Sequence, residues 1–510
     1  MKLNQLMLVA VTVTSALGCG DSGTGEDASE DVGSVQQREI LACSNANPDV
    51  PTSAIKFDRE MVIKNINIVN DACRTGWSAA GCGSSLGAWT FGKLMTTMSG
   101  STDVNSATAK QFVANWLKLS LTTQTATSNG SPSVAPRPSM QEALIAPWLA
   151  ASSCPAGATL DTCSLDLTRA PFRLLAIVNR IDMSGGQQYG TQSPGEFRMV
   201  FGALGKDVQG GIASGAPLQS TVILEYKFPT TRLASQWASL LHQLSAIDPS
   251  TSSASFAQTL QSVSDLIVGP GAQPGASNNG SSIGQIRTNE VVYDFHMGSD
   301  PNADPGQATW EMRQFRLASP SGTGVQLILA PVDQTPPTSA NNTLPIRNFV
   351  INNQAALLSG SAVLPATLLG GSSISPSGVS ATIWESPNPL TTTTAPSLTA
   401  FERALGRHNF GFATCNGCHY AATASQKSLF HIAPRDALTE STLSNFLSVG
   451  GGSDPLATIN NAVPTTQFKV PDPINAGRTF VYNEPWRRAC EIRRILRGVT
   501  TALSTPTGHM

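Results

Sequence analysis

Cys415-Asn416-Gly417-Cys418-His419 places two thiols three residues apart and an imidazole directly behind the second. On one helical turn, positions i and i+3 share a face, so both sulfurs can act on one object with the ring beside it. Three chemistries use such a set. The thiols can form a redox-active or structural disulfide. They can bind zinc with two of His408, His419 and His431. Or both can bond to a prosthetic group while the imidazole ligates its metal. No βαβ pattern surrounds the run, which weighs against a thioredoxin-like dithiol. A zinc-thiolate site would have to survive an oxidising compartment before metallation.

The C-x-x-C-H run resembles the covalent attachment site of c-type cytochromes. The resemblance implies one haem c, with Cys415 and Cys418 bonded to its vinyl groups and His419 as proximal ligand. It covers the motif and the surrounding 113 residues, 398–510, a size common for one cytochrome c-like domain. There is one departure from the pattern: no Met lies between Cys418 and Met510. His431, in Leu429-Phe430-His431-Ile432, is then the candidate distal axial ligand, with His408 the runner-up; a flat apolar slot is expected between the rings of His419 and His431. The function implied is single-electron transfer. Two alternatives stay open. One is a peroxidase- or oxygenase-like haem enzyme with an open distal site. The other is a non-enzymatic surface-binding lipoprotein whose CxxC is a disulfide or a zinc site.

The N-terminus reads as an address. Lys2 precedes an apolar run from Leu6 to Leu17, the layout of a secretory signal. Ala16-Leu17-Gly18-Cys19 resembles a bacterial lipobox with Ala where Leu is usual, which makes 1–18 a lipoprotein signal peptide and Cys19 the lipidated residue. Residues 19–40 carry Asp21, Glu26, Asp27, Glu30 and Asp31, the profile of an acidic disordered tether. The expected location is the bacterial cell envelope, lipid-anchored, at the outer membrane. Ala88–Met95, Ala176–Ile181, Ile286–Glu290 and Thr414–His419 are similar to stretches of large myxobacterial lipoproteins, a resemblance that implies a lifestyle and no mechanism.

Nine cysteines are present. With Cys19 given to lipid and Cys415 and Cys418 to the motif, six remain, an even number that reads as structural disulfides in an exported chain. Cys73–Cys82 and Cys154–Cys163 each close a short loop. Cys43–Cys490 follows by elimination and would tie the two ends together.

The elements that must hold the motif suggest a multi-domain α+β chain. Its 510 residues correspond to about three domains. Residues 41–165 read as mainly helical, with apolar residues at three- and four-residue spacing in Ala88–Met95 and Ala109–Leu117. Residues 166–370 form a β-rich domain, an antiparallel sheet or sandwich interrupted by one helix at Leu233–Leu244. Residues 371–397 are a Ser/Thr/Pro/Gly linker, and 398–510 are the mainly α cytochrome c-like haem domain, with helices at Phe401–Arg407, Glu440–Leu447 and Pro485–Val499.

Charge sets limits. Lys plus Arg number 32 against 34 Asp plus Glu, which argues against a nucleic-acid partner held by phosphate contacts. No apolar stretch after the N-terminus is long enough to span a membrane, so membrane contact is expected through the lipid alone. Five arginines between 487 and 497 read as a solvated helix face. Their functional alternatives are neutralising haem propionates or docking an acidic redox partner. Gly83-Ser84-Ser85-Leu86-Gly87 matches a nucleophile elbow but does not follow a hydrophobic strand, so it reads as a Gly-rich helix start. Arg180 with Asp182 and Glu196 with Arg198 read as ion pairs covering a sheet face. His242 and His296 read as ordinary surface or half-buried histidines.

Overall fold

The computed structural model describes residues 55–76, 82, 86–124, 136–184, 194–205, 215–273, 279–291, 310–319, 324–332, 336, 340, 342–359, 362, 364, 388–419, 430–449, 468–472 and 478–499, with a short strand at 35–36. The fold is mixed α and β. Its centre is a seven-stranded antiparallel meander, in which each strand pairs with the next in the chain. After the short β1 (Val35–Gln36), the meander runs β2 (Val62–Ile63), β3 (Phe172–Arg180), β4 (Glu196–Leu204), β5 (Pro217–Lys227), β6 (Ile283–Val291), β7 (Trp310–Ala318) and β8 (Gln326–Ala330). A smaller sheet has the order β1, β10 (Thr479–Tyr482), β9 (Phe468–Pro471).

Register assigns the two faces of the meander. Phe197, Met199 and Phe201 of β4 pair with Tyr226, Leu224 and Val222 of β5 and lie on one face; Glu196, Arg198 and Val200 pair with Lys227, Glu225 and Ile223 on the other. A bulge between Leu174 and Ala176 shifts the parity of β3. It lets Leu174 and Ile177 share the packing face although they stand three positions apart in the run. Helices α1 (Phe91–Met98), α2 (Ala107–Leu121), α3 (Ala234–His242) and α4 (Ser253–Val268) bury their apolar stripes in the same core as that face. Phe91 stacks on Phe172 at 4.0 Å between ring centroids, and Trp116 meets Phe315 edge-on at 6.1 Å.

Several expectations change here. The β-rich stretch holds a second long helix, α4, whose buried Phe256, Leu260, Val263 and Ile267 have helical spacing. Strand β6 runs from Ile283 to Val291; residues 292–300, with His296, lie outside the described residues. Of the expected linker, Leu390 and Ala395 are buried in a small core with Ile346, Val350, Leu357 and Phe410. Thr391 and Thr394 exchange side-chain hydrogen bonds that fold their segment into a turn.

The last 113 residues are not a self-contained unit either. Helix α5 (Ala400–Phe412) and the single turn α6 (Cys415–Cys418) pack near the small sheet, whereas α7 (Glu484–Leu496) sends Trp486, Ala489, Cys490, Ile492 and Ile495 into the core beneath the meander. The expected helix at Glu440–Leu447 is one turn, Asn445–Ser448.

Cys73 is bonded to Cys82 and Cys154 to Cys163, with Cα separations of 5.0 and 6.0 Å. Cys490 is disulfide-bonded, and Cys43, the partner expected for it, lies outside the described residues, as does Cys19. No helix among the described residues is long and apolar enough to cross a membrane.

Candidate functional site

The C-x-x-C-H run forms the turn α6, which starts where α5 stops. Thr414 caps it: its hydroxyl oxygen accepts from the Gly417 amide at 3.1 Å and its hydroxyl donates to the Gly411 carbonyl at 2.7 Å. Gly417 is required by space, because a Cβ there would stand 2.0 Å from the Gly411 carbonyl oxygen. A glycine between the cysteines therefore lets the turn fold back against the end of α5. Cys415 and Cys418 are both fully buried, and neither is in a disulfide. His419 closes the turn through its amide, which donates to the Cys415 carbonyl at 2.9 Å, and its ring is buried.

His431 reaches the site from the segment 430–449. Its Nε2 stands 3.8 Å from Cys418 Sγ, and its Nδ1 stands 2.8 Å from Ser444 Oγ. The Ser444 amide also donates to the His431 carbonyl at 3.0 Å, fixing the two residues to each other. A neutral ring that donates Nδ1–H to Ser444 presents its Nε2 lone pair toward the thiol, the tautomer that a metal ligand uses. Burial, with His419, Arg488 and Arg180 nearby, pushes the His431 pKa well below 6.5, so the ring is neutral. Burial, with Cys415 beside it, pushes the Cys418 thiol well above 9.0, so the sulfur keeps its proton. The set is two buried thiols, of which Cys418 keeps its proton, and a neutral imidazole at His431.

The rings of His419 and His431 lie 4.5 Å apart between centroids, tilted by 53°. Two imidazoles ligating one metal from opposite sides hold their nitrogens about 4 Å apart, with bonds near 2 Å each, and their centroids sit farther back still. The expected flat slot does not separate these rings. The pair as placed is not a trans axial pair, because His431 turns toward Cys418 and Ser444 instead. His408, the other candidate, is buried elsewhere and stacks face to face on Phe480 at 3.6 Å. Its pKa falls to about 3, from burial first and Arg407 second. Among the described residues no group of three or more His, Cys, Asp or Glu is arranged to hold a metal ion.

Beneath the histidine pair lies the polar face of the meander, which periodicity alone did not mark as buried. Arg180 pairs with Asp182 at 2.9 Å and Arg198 with Glu196 at 2.6 Å, both as ion pairs on a sheet face. The network continues into α7: Arg487 bridges Asp182 at 2.8 Å and Glu484 at 2.6 Å, and Arg488 donates to Glu484 at 2.9 Å. The expected solvated arginine face is therefore corrected. Arg487 and Arg488 are buried because Asp182 and Glu484 supply charge partners that single-chain periodicity cannot show, and Arg493 is buried as well. A second buried cluster, Arg137 with Glu290 and Glu311, lies on the packing side.

A cavity of about 30 Å³ lies between the histidines and this face, lined by Val178, Val200, Ile223, Ile432 and Leu447 among others. Of the weaker motifs, Gly83–Ser85 lie outside the described residues. His242, half-buried, accepts a role beside Glu60, with Nδ1 2.9 Å from its carboxylate. No family model, curated protein or solved structure matches this chain.

Proposed function

We propose that the protein is a lipid-anchored envelope carrier of single electrons, with one haem c attached through Cys415 and Cys418 and ligated by His419. The observation that carries this reading is the pair of buried thiols outside any disulfide, set on one capped turn with the imidazole that follows them. The donor chemistry fits that group at three points: two sulfurs able to form thioethers and the His419 imidazole nitrogen. His431, with its ring 4.5 Å from that of His419 and its Nε2 facing Cys418, would stand outside that donor set. A haem held by these residues would supply one-electron redox chemistry.

The chain's own residues do the rest. Thr414 and Gly417 fix the spacing of the two sulfurs. Ser444 holds His431 against Cys418, where the ring shields the sulfur. Val178, Val200, Ile223 and Leu447 give the space beside the histidines apolar walls, which raises the leverage of each nearby charge. The lipid at Cys19 would tether the molecule to the outer membrane. An acidic redox partner would meet Arg494 and Arg497, since Arg487, Arg488 and Arg493 are committed inside.

The ring spacing also favours a second reading, a haem enzyme with an open sixth position. One experiment separates the outcomes. The purified protein is extracted with acid–acetone and its oxidised-minus-reduced visible spectrum recorded, beside Cys415→Ala and Cys418→Ala. Haem that resists extraction and is lost from the double variant is expected. A low-spin spectrum supports the carrier, and a high-spin spectrum that shifts with CO supports the enzyme. A protein with no Soret band when matured in a host competent for haem attachment would sink both.

A further inference from the structure

Three buried polar atoms around the cavity make no hydrogen bond: Thr221 Oγ1, Asn289 Oδ1 and Arg488 Nη2. Their residues are 1 %, 4 % and 1 % exposed. Buried polar groups are nearly always paired, so three around one small space require an occupant. Thr221 and Asn289 are direct cross-strand neighbours on β5 and β6, which puts their side chains side by side on the sheet face. Arg488 comes from α7, on the opposite wall. Its Nε is already held by Glu484 at 2.9 Å, so the guanidinium is aimed and only Nη2 remains to be used.

The three atoms specify a chemistry. Nη2 of a guanidinium donates, and its best acceptor is an anionic oxygen. Asn289 Oδ1 accepts, so the ligand must also carry a donor. The Thr221 hydroxyl serves either way. No acidic residue is among the described lining residues, and Arg198 adds positive charge to the wall. The volume limits size: at roughly 10–15 Å³ for each water, about 30 Å³ holds two waters or one compact molecule of similar bulk.

We propose that this cavity is a binding site for a small planar oxyanion bearing one O–H, of which hydrogencarbonate is the member that fits. Its charged oxygens face Arg488 and Thr221, and its hydroxyl donates to Asn289 Oδ1. The site goes beyond the electron-carrier reading and does not depend on haem, since none of the three atoms belongs to the C-x-x-C-H turn. It places an anion under the rings of His419 and His431, which line the same cavity.

The test is calorimetric titration of the full chain with hydrogencarbonate, nitrate and urea, three planar molecules of similar size. Nitrate keeps the charge and lacks the O–H, whereas urea keeps donors and lacks the charge. Saturable hydrogencarbonate binding at least tenfold tighter than either is expected. Asn289→Leu should erase the preference over nitrate, and Thr221→Val should weaken hydrogencarbonate about tenfold, with circular dichroism confirming that each variant folds. If a variant does not fold, displacement of hydrogencarbonate from the wild-type chain decides, with excess nitrate and urea expected to fail. Absence of saturable binding, equal affinity for nitrate or urea, or folded variants that bind like wild type would each overturn the assignment.

Discussion

The two faces of the seven-stranded meander are made from alternate residues of the same strands, yet they are stabilised differently. One face joins Phe172, Phe197, Met199, Phe201 and Leu224 to the helices in an aromatic and aliphatic core. The other buries Arg180, Glu196, Arg198, Glu225 and Arg287, and it underlies the histidine pair. Dispersion and hydrophobic burial are non-directional, so the first face tolerates exchange among apolar shapes. Buried charges hold only while every partner is in place. Shape-tolerant packing dominates one side of the sheet, where the Arg137, Glu290 and Glu311 cluster is an exception, and geometry-dependent pairing dominates the side where a site needs fixed donors.

Asp182 offers the harshest test of this contrast. It pairs with both Arg180 and Arg487, and Asp182→Asn would leave two guanidiniums short of a charge partner. A loss of about 3–5 kcal/mol is expected in urea unfolding. Met199→Leu, across the sheet, should cost less than about 1.5 kcal/mol. Equal losses would break the comparison. The charged face also carries a pH signature. Arg180, Arg487 and Arg488 hold the Asp182 carboxyl far below its ordinary 3.8 against the pull of burial. Its contribution is therefore present above that value and is lost as pH falls below it.

A smaller effect is expected at the capped turn. Thr414→Ala removes the acceptor for the Gly417 amide and the donor to the Gly411 carbonyl, and should cost about 1 kcal/mol. Hydrogen exchange should show faster opening at Cys418 and His419 than at the strands of the meander. Uniform acceleration throughout would mean that the turn and the sheet unfold as one.

The smallest effect belongs to the half-buried pair at the other edge. The hydrogen bond to Glu60 raises the His242 pKa against the opposing effect of burial. Burial raises Glu60 above 4.5 even after His242 lowers it. Both groups hold protons more tightly when folded. Their stabilisation is full below the ordinary values and is lost as pH rises through the folded ones, above 6.5 for His242. His242→Gln should flatten the decline in urea midpoint between about pH 6 and 8, by less than about 1 kcal/mol. An unchanged slope would assign it to other groups.

Much of the packing face was legible in the sequence. The stripe through Ala109–Leu117 reads as a helix, because its period follows from backbone geometry alone. The motif Cys415–His419 was legible too, since two thiols and a ring within five residues are a local fact. Helix α4 was missed although its apolar residues are periodic, because the serines around them resemble a loop. The burial of Arg487 and Arg488 was not legible. Charge partners on Asp182 lie about three hundred residues away in the chain, and only the fold brings them within 2.8 Å. The same reason governs the site: sequence named His431 and reached for a distal ligand, but distance along the chain does not fix direction. Ser444 and the Ile432–Leu443 bridge turn that ring toward Cys418. Sequence determined which donors exist and the spacing of those on one turn. Tertiary structure decided which of them meet, and that Thr221, Asn289 and Arg488 share a cavity, because cross-strand register and helix packing are long-range properties that no local pattern encodes.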